Sequence, residues 1–529
     1  MCGPINPCTF QEIRFAIAGT ADTQFSMSEG AIRTESQGSA RRSAALVPSH
    51  QLALQAVWFL IAALATRAWV FGDLSYAEDE MLFFYIGQRM QDGLLPYVDV
   101  WDRKPPSLFL LYAVLAGISR SVLIFQLAAT LCAAATAFVI ARIASAFAPP
   151  AGAVLAGTIY LAALLPFGGG GGQAAVFFNL AMALAVLLVV SVRPALRAGR
   201  VSWQVYAAMA LAGLAISFKQ TAIFEAAFLG VFVLWSLARA DTPRAGLIAR
   251  GATFALIGAA PMLAWAGFFA ASGHFAEFWH AMAGANLAKD YDPGGEWLVR
   301  LGQFGIILAP LLALAVIGMG MMVKDREPHM AFMAGWMAAA LAGFLIIPNL
   351  IDHYALPLLV PITVIAAPVL GRGLIGMVAG LIATASFMWG TPVTDITRGM
   401  HSAQRMYALA QRIEAADPRP RVLVFDGPVY LYPLLGSHPP SPLIFPLHIN
   451  YLPERDVSHL VTAQEVSRMI GARATTIVMR DRGEVALYNP DTVAALSAYV
   501  SQNCRSQFDH ELTDRHGPYS VTVHTNCAH

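Results

Sequence analysis

The feature that most limits this chain is an alternation running from residue 52 to residue 389: an apolar stretch near the length of a bilayer crossing, a short polar break, then another apolar stretch. A hydrocarbon core takes roughly 20 apolar helical residues to cross, because a helix satisfies its own backbone polar groups there. Spans read at 52–71, 122–143, 151–166, 174–192, 203–218, 221–238, 247–271, 298–323, 330–347, 354–370 and 374–389, about eleven in all. Of 529 residues, 57% are hydrophobic and 13% charged, against roughly a quarter charged in soluble chains. The expected fold class is a polytopic α-helical membrane protein. With a formal net charge of +1, no global field points to nucleic acid or acidic partners, so the placement of charges carries the information.

Loops rich in Lys and Arg mark the cytoplasmic side. Arg41 and Arg42 precede the first span, Arg142 ends the second, and Arg193, Arg197 and Arg200 follow the fourth. Arg239, Arg244 and Arg250 follow the sixth, Lys324 and Arg326 the eighth, and Arg372 the tenth. All lie inside together only if the apolar run 107–118 does not cross, and a dozen residues is too short. The N-terminus is then inside and the C-terminus outside. The outer side receives the segment 76–113, the glycine run "PFGGGGGQ" at 166–173, the turn "SFKQT" at 217–221, the loop 272–297, "PNLIDHYA" at 348–355, and a polar region from about 395. A transporter would keep ionisable groups at mid-membrane and show repeated halves. Here no repeat is visible and the acids gather on one face.

In the first outer segment, Ser75 and Glu78 have the spacing of a capping box, followed by a helical pattern to Met90 and a terminating Gly93. Met81, Leu82, Phe84 and Tyr85 suit a helix lying at the membrane surface. Glu78 would cap, and Asp79 and Glu80 would favour the positive end of the helix dipole. Three adjacent acids repel, however, and capping needs one. At about 100° per residue, Asp79 can face a cavity while Glu78 caps. Further on, Pro105 and Pro106 hold Arg103 and Lys104 on an extended, rigid backbone. That suits the anchoring of a lipid phosphate, and snorkelling to headgroups suits the same spacing equally well. Lys219 at a span end, and His353 with Tyr354 at another, are likewise readable as ligand contacts or as interfacial residues. In the loop 272–297, His274, Glu277, Trp279 and His280 read as an interfacial aromatic helix rather than a zinc set.

Taken together, the acidic pair, "GQRM", Gly, "PY", Asp and "KPP" resemble the first outer loop of the GT-C superfamily of polyprenyl-phosphate-sugar glycosyltransferases. They are most similar to the bacterial relatives of dolichyl-phosphate-mannose protein mannosyltransferases and of the aminoarabinose transferases that modify lipid A. "SFKQTA", "DHYALPLLVP" and "RVLVFDGPVYLYPLLGSHPPSPLIFP" continue the resemblance in order, over residues 52 to about 450. The resemblance implies a sugar on a polyprenyl phosphate as donor and transfer with inversion. Asp79, or else Glu80, would be the base that deprotonates the acceptor. Arg103, Lys104, Lys219, His353 and Tyr354 would bind the donor phosphate. At the glycine run, where many relatives carry an acid, this chain has Gln173, which weakens any second catalytic acid or metal ligand there. No cofactor is required by this reading; a divalent cation is compatible with it but supported by no dense ligand motif.

From about 395 the chain turns polar. Strands at "RVLVF" and "TTIVM" alternate with helices at "TAQEVSRMIGA" and "PDTVAALSAYVSQ", and "SQFDHEL" and "YSVTVHT" end the chain as strands. Cys504 and Cys527 flank that terminal pair and would form a disulfide if the region faces an oxidising compartment. The expectation is therefore a disordered cytoplasmic tail at 1–50, a transmembrane catalytic domain at 51–394 with its first outer loop at 72–120, and a small periplasmic α/β domain at 395–529. The enzyme would sit in a bacterial inner membrane with its site facing the periplasm. Its acceptor would be an envelope glycolipid, such as lipopolysaccharide core or lipid A. Protein O-glycosylation and, in another class, a lipid-linked sugar flippase stay open.

Overall fold

A computed structural model describes residues 48–291, 295–480 and 487–527. Most of the N-terminal tail at 1–50 therefore lies outside the described residues. From Ala53 onward the chain packs as one compact unit. Each of the eleven expected spans coincides with an apolar helix, seven of them long enough to cross a membrane unaided. In chain order the first are α1 (Ser49–Arg67), α2 (Glu78–Gln91), α3 (Pro106–Ile118), α4 (Leu123–Ala144), α5 (Pro150–Ala163) and α6 (Ala174–Ser191). The protein is a polytopic helical membrane protein with a small C-terminal sheet.

Burial sorts the helices. Leu359–Leu370 is buried along its whole length, packed against α4, α5 and Trp297–Lys324 at the centre of the bundle. In Arg244–Ala271, by contrast, only Phe254 and Phe269 are buried, while Ile248, Leu256 and Leu263 face outward. A water-soluble protein would not leave such a continuous apolar face uncovered.

The acid-bearing helix α2 departs from expectation in two ways. Its N-cap is Ala77, with no side-chain cap, so Ser75 stands two residues too early for a capping box. The Ser75 hydroxyl instead donates to the Thr513 carbonyl at 2.7 Å. Nor does α2 lie on a membrane surface: Glu80 through Gln88 are all buried inside the protein. Phe84 meets Phe125 of α4 on one side, with ring centroids 5.2 Å apart, and Tyr430 on the other. Gly87 permits the contact with α3, since a Cβ there would lie 2.5 Å from the Tyr112 backbone. The apolar residues read as membrane-facing are used for packing between the bundle and the C-terminal region.

That region begins with the helix Arg398–Ala416 and contains four strands, β1 (Val422–Val424), β2 (Thr476–Arg480), β3 (Ser506–Asp514) and β4 (Gly517–Thr525). The sheet order is β1-β2-β4-β3. β1 pairs in parallel with β2 after a crossover that includes the helix Thr462–Gly471, and β4 pairs antiparallel with both β2 and β3. β3 and β4 form a long hairpin whose tip is Arg515 and His516, and Cys504 is joined to Cys527 at its base. The helix Pro490–Asn503 precedes it. Contacts cross the expected boundary at 395 freely, as the Ser75–Thr513 bond shows.

Candidate active site

Local chemistry fixes the basic pair first. Asp102 accepts hydrogen bonds from the Arg103 and Lys104 amides, and the Tyr97 hydroxyl donates to the Lys104 carbonyl at 2.7 Å. Pro105 is extended and Pro106 starts α3, so the backbone carrying the two cations is held on every side. The side chains then diverge. Lys104 Nζ lies 3.5 Å from Asp102 and 5.2 Å from the Phe83 ring centre. Arg103 turns away to pair with Glu454 at 2.8 Å, and Glu454 also receives Lys289 from the loop 272–297.

Lys104 faces Asp79, which stands in the first turn of α2. Burial alone would push the Asp79 carboxyl up, but Lys104, then His353, Gln173 and Arg515 hold it at about 2. Gln173 donates to Asp79 Oδ2 at 3.5 Å. Its neighbour Glu80 is fully buried, and burial pushes it to about 8 despite the Gly172 amide and Arg67. Two consecutive carboxyls thus differ in state at neutral pH: Asp79 is ionised and Glu80 is protonated. Burial would lower the Lys104 ammonium, but Asp102 and Asp79 raise it above its ordinary value.

On the opposite wall, Lys219 Nζ sits 4.0 Å above the Tyr354 ring centre. Burial, then repulsion from Lys104, lowers it to about 7. His353 packs edge-on to Tyr354 at 4.6 Å and lies 3.6 Å from Asp352. Burial lowers its imidazole below the ordinary value against the pull of Asp352, and burial raises the Tyr354 hydroxyl to about 12. Asp79, Lys104, Lys219, His353 and Tyr354 therefore come together, from four separate segments of the chain. Glu80 lies behind them and Arg103 to one side. Among the described residues no group of three His, Cys, Asp or Glu side chains is placed to hold a metal.

The glycine run has a structural reason. The Arg67 guanidinium donates to the Gly169 and Gly171 carbonyls, and the Tyr112 hydroxyl donates to the Gly172 carbonyl at 2.6 Å. A Cβ on Gly170 would lie 2.6 Å from the Tyr76 hydroxyl, and one on Gly171 would lie 2.6 Å from Glu80 Cδ. The backbone is thus pressed against the side chains that surround the acids. Arg67, a charge at the end of an apolar span, was a legible signal for this cradle. Arg515 gave none. It arrives from the hairpin tip, pairs with Asp352 at 2.6 Å, and donates its backbone amide to the Tyr76 carbonyl at 3.3 Å.

No protein-family model matches the chain, and no curated protein does. Solved structures do. The crystal structure of ArnT from Cupriavidus metallidurans bound to undecaprenyl phosphate matches with a TM-score of 0.58 and 14% identity, over 91% of this chain and 99% of that one. The chain shares the fold of that protein over nearly the whole length of both. The apo form of the same ArnT matches with a TM-score of 0.58 and 14% identity, over 90% of this chain and 98% of its own. The apo oligosaccharyltransferase of Archaeoglobus fulgidus matches at 0.48 and 10% identity, over 82% of this chain and 70% of that one.

Proposed function

We propose that this protein is an inverting glycosyltransferase of the GT-C superfamily that moves a sugar from a polyprenyl phosphate to an acceptor on the periplasmic side of a bacterial inner membrane. The acceptor we favour is an envelope glycolipid, lipopolysaccharide core or lipid A. The observation that carries the reading is the ionised Asp79 facing Lys104, Lys219 and His353, beneath the C-terminal region of a fold shared with an undecaprenyl-phosphate complex.

In this mechanism the acceptor hydroxyl attacks the anomeric carbon from the face opposite the phosphate. The C–O bond to phosphate breaks, the hydroxyl proton passes to Asp79, and the lipid phosphate leaves with one more negative charge than it carried as a diester. Lys104 stabilises that charge directly, which is worth most in a site with little water. Lys219, near the midpoint of its titration when the site is empty, takes up a proton as the phosphate arrives. The same phosphate offsets Lys104 and so raises the Asp79 carboxyl from its low resting value, making it a better base once the donor is bound. Glu80, protonated behind Asp79, adds no second negative charge to repel the phosphate.

Mass spectrometry of envelope glycolipids from cells with wild type, Asp79→Asn or no protein tests the reading. A sugar mass present with wild type and lost in both others supports it. Removal of a general base costs roughly two to four orders of magnitude in rate, while undecaprenyl phosphate binding should persist. An Asp79→Asn protein that still yields the product removes Asp79 as base. Sugar found on envelope proteins instead of lipids shifts the acceptor, and translocation without any transferred sugar restores the flippase.

A further inference from the structure

The largest of the cavities described, about 820 Å³, is not lined by Asp79 or by any of the residues gathered around it. It opens at the far end of α2, between the start of α4, the helix Arg398–Ala416 and the segment near His438. Arg89, which lines it, is ten residues beyond Asp79 on one helix, roughly 15 Å along the axis. One phosphate cannot serve both places.

Its polar wall is an unbalanced cluster. Arg89 Nη1 lies 3.1 Å from Asp92 and Arg120 Nη2 lies 3.5 Å from the same carboxylate, so two guanidinium groups share one acid. Arg89 also donates to His438 Nε2 at 3.3 Å. His438 thereby presents its Nδ1 proton to the Tyr85 hydroxyl, 2.9 Å away, and burial followed by Arg89 lowers its affinity for a second proton. The cavity keeps one unit of positive charge, and Arg120, 57% exposed at its side chain, keeps donors open towards it.

The mouth is apolar on both lips. Leu123 lines the cavity and begins a stripe with Leu127 and Leu131, 41%, 43% and 58% exposed along one face of the spanning helix α4. Met400 and Tyr407 stand exposed on the opposite lip. A positive pocket that runs straight into a membrane-facing leucine stripe fits an amphiphile. Guanidinium pairs bind phosphate in bidentate fashion, and a net single positive charge matches a phosphodiester monoanion.

We infer that this cavity binds the phosphodiester headgroup of an anionic membrane lipid, with an acyl chain laid along Leu123, Leu127 and Leu131. The inference stands whether or not the chain transfers a sugar. Native mass spectrometry of the purified full-length protein, offered phosphatidylglycerol, phosphatidylcholine or inorganic phosphate, tests it. Wild type should retain one phosphatidylglycerol in preference to phosphatidylcholine, and the double variant Arg89→Gln/Arg120→Gln should weaken that retention by about tenfold or more. Equal retention of phosphatidylcholine, or an unchanged double variant, overturns the headgroup assignment. Displacement of the lipid by millimolar inorganic phosphate overturns the lipid as occupant. Phosphatidylglycerol carrying a photoreactive acyl chain gives a readout on wild type alone: cross-links should fall within residues 123–131, and cross-links confined elsewhere overturn the proposal.

Discussion

Asp79 and Glu80 are neighbours in the chain and opposites in the fold. A helix turns about 100° per residue, so Asp79 meets Lys104 while Glu80 is pressed onto the glycine run. The carboxyl beside cations stays ionised, and the one sealed against backbone keeps its proton. Lys219 is the residue whose state depends most on conditions. Its ammonium, lowered to about 7 by burial and Lys104, is charged below that pH and neutral above it. Under the proposed function undecaprenyl phosphate would prefer the charged form, so its affinity should weaken as pH rises through about 7, measured by titration from about pH 6 to about pH 9. Lys219→Arg should flatten that dependence, because guanidinium stays charged. Gly171→Ala should destabilise by roughly 1–3 kcal/mol, as overpacking does, since the new methyl meets the Glu80 carboxyl. A lowered unfolding midpoint in detergent checks it, and an unchanged midpoint would mean that the run yields freely.

At the scale of elements, the β3–β4 hairpin supplies Arg515 to the carboxyls. Nine residues on each side set its reach, Cys504–Cys527 pins its base, and its tip meets Asp352 and the Tyr76 carbonyl. Arg515 helps to lower both Asp79 and Glu80. Removing its charge should raise both, so less Asp79 is ionised at a given low pH. The acid limb of kcat/KM should therefore move to higher pH in Arg515→Gln and stay near wild type in Arg515→Lys. Equal profiles for all three would reduce the hairpin to a structural cover. The sheet elements themselves were readable from period-two apolar runs between turn residues. What the hairpin touches was not, because a long antiparallel pair has the same sequence pattern wherever its tip points.

Over the whole molecule, the C-terminal region and the membrane bundle are tied through charge. Glu454 accepts both Arg103 and Lys289 with almost no exposure, joining three distant parts of the chain. Breaking a buried ion pair by removing one partner costs roughly 3–5 kcal/mol, because the remaining charges are stranded. Glu454→Ala should lower the unfolding midpoint and speed hydrogen exchange in the segment near Lys289. Unchanged exchange there would show that the clamp does not hold the loop. Arg103 enters this clamp through Nη2 alone and keeps a buried Nη1 without a hydrogen-bond partner, so under the proposed function it can offer a donor to the phosphate beside Lys104 while the clamp stays closed.

By itself the sequence determined the number and order of apolar helices, the α/β character of the end of the chain, and the short list that held Asp79, Lys104, Lys219, His353 and Tyr354. Those follow from hydropathy, periodicity and local chemistry, together with a resemblance carried by motifs. Only the tertiary structure decided that α2 is buried instead of membrane-facing, that Arg103 pairs with Glu454, and that Arg67 and Arg515 reach the acids. A helix whose apolar face is covered by protein reads the same as one covered by lipid. Contacts between residues hundreds of positions apart leave no local pattern, and it is those contacts that set the charge of each carboxyl.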